Sequence, residues 1–127
     1  MPRLDIGAVS AVEEFAASMS INAVADDDGA YTFEFLESGR LSILAAQEGE
    51  RVLVSLTRGI LVTDLIGKGA VMAAGGYNPV TNQLMRPGIT GEGQPVLTVD
   101  VPMRGLDLPT LDTAFETLRA AFTEVGL

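Results

Sequence analysis

Residues 31–58 read YTFEFLESGRLSILAAQEGERVLVSLTR, and this stretch decides the fold. Tyr31, Phe33 and Phe35 alternate with Thr32 and Glu34, the period-two pattern of a strand with one buried face. Glu37-Ser38-Gly39 is a tight turn, Arg40 to Gln47 a second alternating run, Glu48-Gly49-Glu50 a second turn, and Arg51 to Arg58 a third strand. Turns this short join neighbouring antiparallel strands, so the segment is a meander. One face collects Tyr31, Phe33, Phe35, Leu41, Ile43, Ala45, Val52, Val54 and Leu56 and should pack against helices. The other collects Thr32, Glu34, Leu36, Ser42, Leu44, Ala46, Leu53, Ser55 and Thr57, with Glu34 its one charge. A solvated face on an acidic chain carries more charge than that. Either another part of the chain covers it, or it receives a partner polypeptide.

Helices flank the meander. Val9, Val12, Phe15, Ala16 and Met19 recur at helical spacing and predict a helix from Ala8 to Met19, begun by Asp5 or Gly7. Asp107-Leu108-Pro109-Thr110 opens a closing helix. Its Leu111, Phe115, Leu118, Phe122 and Val125 follow at intervals of four, three, four and three. Between them, Val62 to Ala74 reads as a helix capped by Thr63 and stopped by Gly75-Gly76. Tyr77 to Asn82 reads as loop, Gln83 to Ile89 as a strand that Pro87 confines to an edge, and Pro95 to Val101 as a further strand. The order is α-β-β-β-α-β-β-α: an α+β fold, a twisted and mostly antiparallel sheet with helices packed on it, as one domain over residues 1–127.

The middle helix is unusual. Leu65, Ile66, Gly69, Met72 and Ala73 share one broad face, Ala70 and Ala74 widen it, and Asp64 and Lys68 form an i, i+4 pair opposite. A helix apolar over most of its circumference needs two packing partners, its own sheet and something else. A twofold-related copy is the economical second partner; the alternative is a helix wholly internal to a monomer.

Composition excludes much chemistry. With 17 acidic against 8 basic residues, the net charge is −9; such a chain repels phosphate backbones and anionic membranes. It has no cysteine and no histidine, so disulfides, thiolate metal sites and Ser-His-Asp or Cys-His catalysis are absent. Asp26-Asp27-Asp28-Gly29 fails as a calcium loop: with Gly29 at the sixth position, Val24 and Phe35 stand where carboxylates belong. It reads as a solvated turn. Ile66-Gly67-Lys68-Gly69 fails as a phosphate loop, because no Ser or Thr follows Lys68 and Val62 replaces the first glycine. Glu13 and Glu14, adjacent on a helix, diverge. Met1-Pro2-Arg3-Leu4-Asp5 does not resemble a signal peptide, and no apolar stretch is long enough to span a bilayer. A cytoplasmic protein without cofactor, metal or catalytic activity is expected, with no nucleic acid bound and no membrane insertion.

The element order, size and acidity combine with Phe33-Glu34-Phe35, Gly39-Arg40-Leu41-Ser42-Ile43-Leu44, Arg51-Val52-Leu53-Val54-Ser55-Leu56 and the helix from Leu111 to Phe122. Together, from Val9 to Val125, they resemble the class I type III secretion chaperones, the CesT/SycE-like family of Gram-negative bacteria. The resemblance implies a homodimer that binds the N-terminal segment of a secreted effector and keeps it soluble and ready for export. It also implies a dimer interface of Leu65, Ile66, Gly69, Val71, Met72 and Ala73, with Leu84 and Ile89, and effector contacts at Val12, Phe15, Met19, Leu36, Leu44 and Leu53. Where the family has a Leu-rich, Asn-containing end to the middle helix, this chain has Ala73-Ala74-Gly75-Gly76-Tyr77. The alternative is a regulatory or scaffolding module of the same fold that serves no export system.

Overall fold

A computed structural model describes residues 2–46, 49–80 and 83–127. Gln47, Glu48, Thr81 and Asn82, read above as strand end, turn and loop, lie outside the described residues, as does Met1. The elements are α1 (Ile6–Ser18), β1 (Tyr31–Phe35), β2 (Gly39–Ala45), β3 (Arg51–Thr57), α2 (Leu65–Ala73), β4 (Gly76–Asn78), β5 (Gln83–Ile89), β6 (Pro95–Pro102) and α3 (Leu108–Glu124). The sheet runs β1-β2-β3-β6-β5-β4, every neighbour antiparallel.

The expected meander is present, with Phe33 opposite Leu41 and Ile43 opposite Val54. Its first turn depends on Gly39: φ is +107°, and a Cβ there would stand 2.1 Å from the Thr57 carbonyl oxygen, which no other residue tolerates. β3 then pairs with β6 along its whole length, so the late strand closes beside the meander. β5 divides its pairing. Gln83 to Met85 bonds to β4, and Arg86 to Ile89 bonds to β6. Pro87 sits past the end of β4, where its missing N–H leaves no bond unmade.

The core lies between the sheet and the pair α1 and α3. From α1 it takes Val12, Phe15 and Ala16, and from α3 Leu111, Phe115, Leu118 and Phe122. The sheet contributes Phe33, Leu41, Ile43, Val52, Val54, Leu56, Leu97, Val99 and Val101. Phe15 meets Phe33 and Phe115 at ring separations of 6.0 and 5.8 Å, tilted and edge-on, which joins both helices to β1. Each helix begins at an aspartate whose carboxylate accepts a free backbone N–H: Asp5 from Ala8, Asp64 from Gly67, Asp107 from Thr110.

The structure differs from the sequence reading at the middle helix. It starts at Leu65, not Val62, and Asp64 rather than Thr63 caps it. Val62 donates its N–H to the Gly93 carbonyl at 2.8 Å, which holds it outside the helix. The Asp64 carboxylate accepts the Gly67 N–H at 2.6 Å, and the expected Asp64–Lys68 pair is not among the ion pairs of the described residues. Gly76–Asn78, read as loop, forms β4. Asp26 to Gly29 is a turn, in which the Asp26 carboxylate accepts from the N–H groups of Asp28 and Ala30.

Candidate protein-binding surfaces

α2 packs on β5 with one narrow side. Val71 is fully buried, Ala70 and Ala74 are half-buried, and Gly75 lies against the ring of Pro87. Pro87 is paired with buried Leu97, so this contact lies on the core-facing side of β5. At 100° per residue, Met72, Leu65, Gly69, Ala73 and Ile66 span the opposite arc, and all five are exposed; Leu65 and Ile66 are each 86% accessible. Ile60 and Leu61, in the lead-in, are exposed too. The two glycines of the helix differ. A Cβ on Gly67 would stand 2.8 Å from the capping oxygen of Asp64 and 3.0 Å from Val62, whereas one on Gly69 would meet nothing within 4 Å. Gly67 is needed by its own chain; Gly69 is not.

Of the residues expected at a dimer interface, the structure gathers Leu65, Ile66, Gly69, Met72 and Ala73 on this open stripe. Val71 is corrected to a core position beneath it, with no surface to offer. Leu84 and Ile89 do not sit together. Leu84 is half-exposed beside Tyr77 on the sheet face away from the core, and half-buried Ile89 is opposite Pro95 on the core side.

The second surface is the sheet face turned away from α1 and α3. Cross-strand partners lay it out in rows: Leu44 beside Leu53 and Asp100; Ser42 beside Ser55, Thr98 and Arg86; Glu34 beside Arg40, Thr57 and Val96. Leu44, Leu53 and Val96 are only half-buried, and none belongs to the core cluster or packs against it. Ala46, expected on this face, is buried instead, while Leu44, Leu53 and Val96 keep accessible surface. The face is also less neutral than the meander alone suggested. Arg40 and Glu34 pair at 2.8 Å, Arg51 and Asp100 at 3.1 Å, and the Ser55 and Thr98 hydroxyls bond at 2.8 Å. Sequence reasoning omitted Arg40 and Arg51 although their parity placed them there; Asp100 and Arg86 needed the strand order.

The expected effector contacts divide as well. Leu44 and Leu53 are cross-strand neighbours on the open face. Leu36 is in the turn after β1, fully exposed, rather than on the face. Met19 caps the end of α1, half-buried. Val12 and Phe15 are corrected to core residues without accessible surface.

Little catalytic chemistry is assembled. Among the described residues no group of three or more carboxylates could hold a metal ion, and no helix is long and apolar enough to cross a membrane. Arg58 serves structure. Its guanidinium lies 4.8 Å from the Phe122 ring centroid and donates to the carbonyls of Glu37 and Ser38 at 3.2 and 2.6 Å. Burial, and then the nearby Arg119 charge, lower its pKa from the usual arginine value.

No protein-family model matches the sequence, and no curated protein matches it. Solved structures do. A chain of the HopA1–SchA chaperone–effector complex matches with a TM-score of 0.68 at 20% identity, covering 94% of this chain and 92% of that one. A chain of the Yersinia pestis complex between the type III secretion chaperone SycH and a stable fragment of YscM2 matches with a TM-score of 0.68 at 14% identity, covering 91% and 98%. A chain of the heterodimeric ExoU–SpcU complex from the type III secretion system of Pseudomonas aeruginosa matches with a TM-score of 0.60 at 12% identity, covering 90% and 93%. At such identities the likeness establishes the fold: this chain has the type III secretion chaperone fold.

Proposed function

We propose that this chain is a cytoplasmic, single-domain, non-enzymatic chaperone of a Gram-negative type III secretion system, binding the N-terminal segment of a secreted effector as a homodimer. The observation that carries the reading is the α2 stripe. Five apolar or small residues on one arc of the helix lie open on a chain of net charge −9. Burying a side chain such as Leu65 or Ile66 is worth about 1.5–3 kcal/mol, so two copies meeting through this stripe gain several such contacts. Gly69 lets the backbones approach closely.

The sheet face away from α1 and α3 then serves the effector. Leu44 and Leu53 offer apolar contact, while Arg40–Glu34 and Arg51–Asp100 frame them with polar groups that register an incoming chain. β1 ends the sheet, and among the described residues a single bridge between Ala25 and Tyr31 occupies its outer edge, which leaves room for an added strand. The absence of histidine and cysteine and the likeness to chains solved within chaperone complexes support a binding role over catalysis.

The test is co-expression with a candidate effector, a secreted protein captured with this chain from its native cytoplasm. A stable complex is expected, lost when the effector's N-terminal region is deleted; full affinity after that deletion overturns the reading. Light scattering on the purified chain should give twice the protomer mass, and a monomer at micromolar concentration removes the dimer from it.

A further inference from the structure

A cleft of about 480 Å³ opens between the end of α2, β4 and the last turns of α3. Its lining includes apolar Met85 and Val99 and two side chains with acceptors to spare, Gln83 and Glu124. The Gln83 Oε1 is buried without a hydrogen-bond donor among the described residues. The Glu124 carboxylate has no ion-pair partner among the described residues. Two helix C-termini converge here, Ala74 closing α2 and Glu124 ending α3, and neither helix carries a basic residue in its last turn. Helix C-termini and a carboxylate favour positive charge, the Gln83 amide oxygen can gain a donor by turning into the cleft, and no lysine or arginine lines it.

We infer that this cleft binds the guanidinium of an arginine side chain carried by a bound polypeptide. The inference rests on the polypeptide-binding reading above. A guanidinium presents several donors in one plane, enough to serve Glu124 and Gln83 together once the part-exposed Gln83 amide turns toward it. Its aliphatic stem suits contact with Met85 and Val99. The polypeptide origin follows from β4, which lines the cleft at Gly76, Tyr77 and Asn78 and is the terminal strand of the sheet. A peptide running along that edge can drop one side chain into the cleft. An acidic chain selects a basic guest for the same reason at longer range.

The probe is N-acetyl-Leu-Arg-Leu-amide, titrated into the full ¹⁵N-labelled chain beside its citrulline counterpart and arginine amide alone. The arginine peptide should shift the Gln83 side-chain amide and the backbone amides of Gly76, Thr117 and Ala120. The citrulline peptide, nearly isosteric but uncharged, should bind at least about tenfold more weakly, and raised salt should narrow the gap. Glu124→Gln, at an exposed position, should remove most of the difference, as should Gln83→Leu. Equal binding of the two peptides, or shifts confined to the α2 stripe, overturns the inference. Arginine amide binding as well as the peptide overturns the polypeptide origin. Failure here with effector capture intact sinks the cleft alone; shifts here without effector capture sink the chaperone reading alone.

Discussion

α2 and α3 invert the usual relation between apolarity and burial. α3 carries Asp112, Glu116, Arg119 and Glu124 among its residues, yet Leu111, Ala114, Phe115, Leu118 and Phe122 disappear into the core. α2 carries only Lys68 as a charge, yet Val71 is its only fully hidden side chain. The difference is one of phase. In α3 the apolar residues recur on a single stripe that matches the sheet beneath it. In α2 they run around the helix, and β5 is wide enough to cover one side. Under the proposed function, the apolar area that the protomer leaves open belongs to a contact with another molecule.

The comparison breaks hardest in α3. Phe122→Ala removes a fully buried ring that also supports the Arg58 guanidinium, so unfolding in denaturant should show a loss of about 3–5 kcal/mol. A loss below about 1 kcal/mol would mean that the α3 stripe is not the anchor of this core. In α2 the opposite pattern is expected. The double variant Leu65→Asp, Ile66→Asp should keep its circular dichroism while self-association falls by about 3 kcal/mol or more, over a hundredfold. Sedimentation reads the second quantity; unchanged association would detach the open stripe from any dimer.

Gly69 sharpens the contrast. A glycine inside a helix costs about 1 kcal/mol relative to alanine, and a methyl group there meets nothing in the protomer. Gly69→Ala should therefore stabilise the isolated protomer by about 1 kcal/mol while weakening self-association. Stabilisation without weaker association would mean that no second helix approaches this position.

The meander and α3 were legible in the sequence because each satisfies one periodicity against one partner. Gly39 was legible as a turn, and the structure supplies the reason in the Thr57 carbonyl. What escaped depended on contacts remote in sequence. β4 has three residues, glycine and asparagine among them, and exists because Gln83 to Met85 lies beside it. The start of α2 moved because Gly93 holds the Val62 backbone. Val12 and Phe15 look alike as core or contact residues until the sheet is known to lie over them. For the cleft at Gln83 and Glu124 no local pattern exists, since four separate segments build it.

The smallest expected effect concerns the caps, where α2 and α3 again differ. Asp64 accepts one backbone N–H, from Gly67. Asp107 accepts the Thr110 N–H at 3.0 Å and the Thr110 hydroxyl at 2.6 Å. The hydroxyl first, and then the N–H, hold the Asp107 carboxyl below its ordinary pKa. A lowered folded-state pKa means that the unfolded chain binds the proton more tightly. The stabilisation is complete above about pH 4, the ordinary aspartate value, and is lost as pH falls through the lower folded value. Thr110→Ala removes the larger cause and should move the Asp107 titration, followed by carboxyl NMR, up toward the ordinary range. Asp107→Asn keeps a capping oxygen without the titration, so the gap in thermal midpoint between it and the natural chain should close as the solution is acidified below pH 4. If that gap is the same at pH 3 and pH 6, the charge on Asp107 contributes nothing to the start of α3, and the cap works through its shape alone.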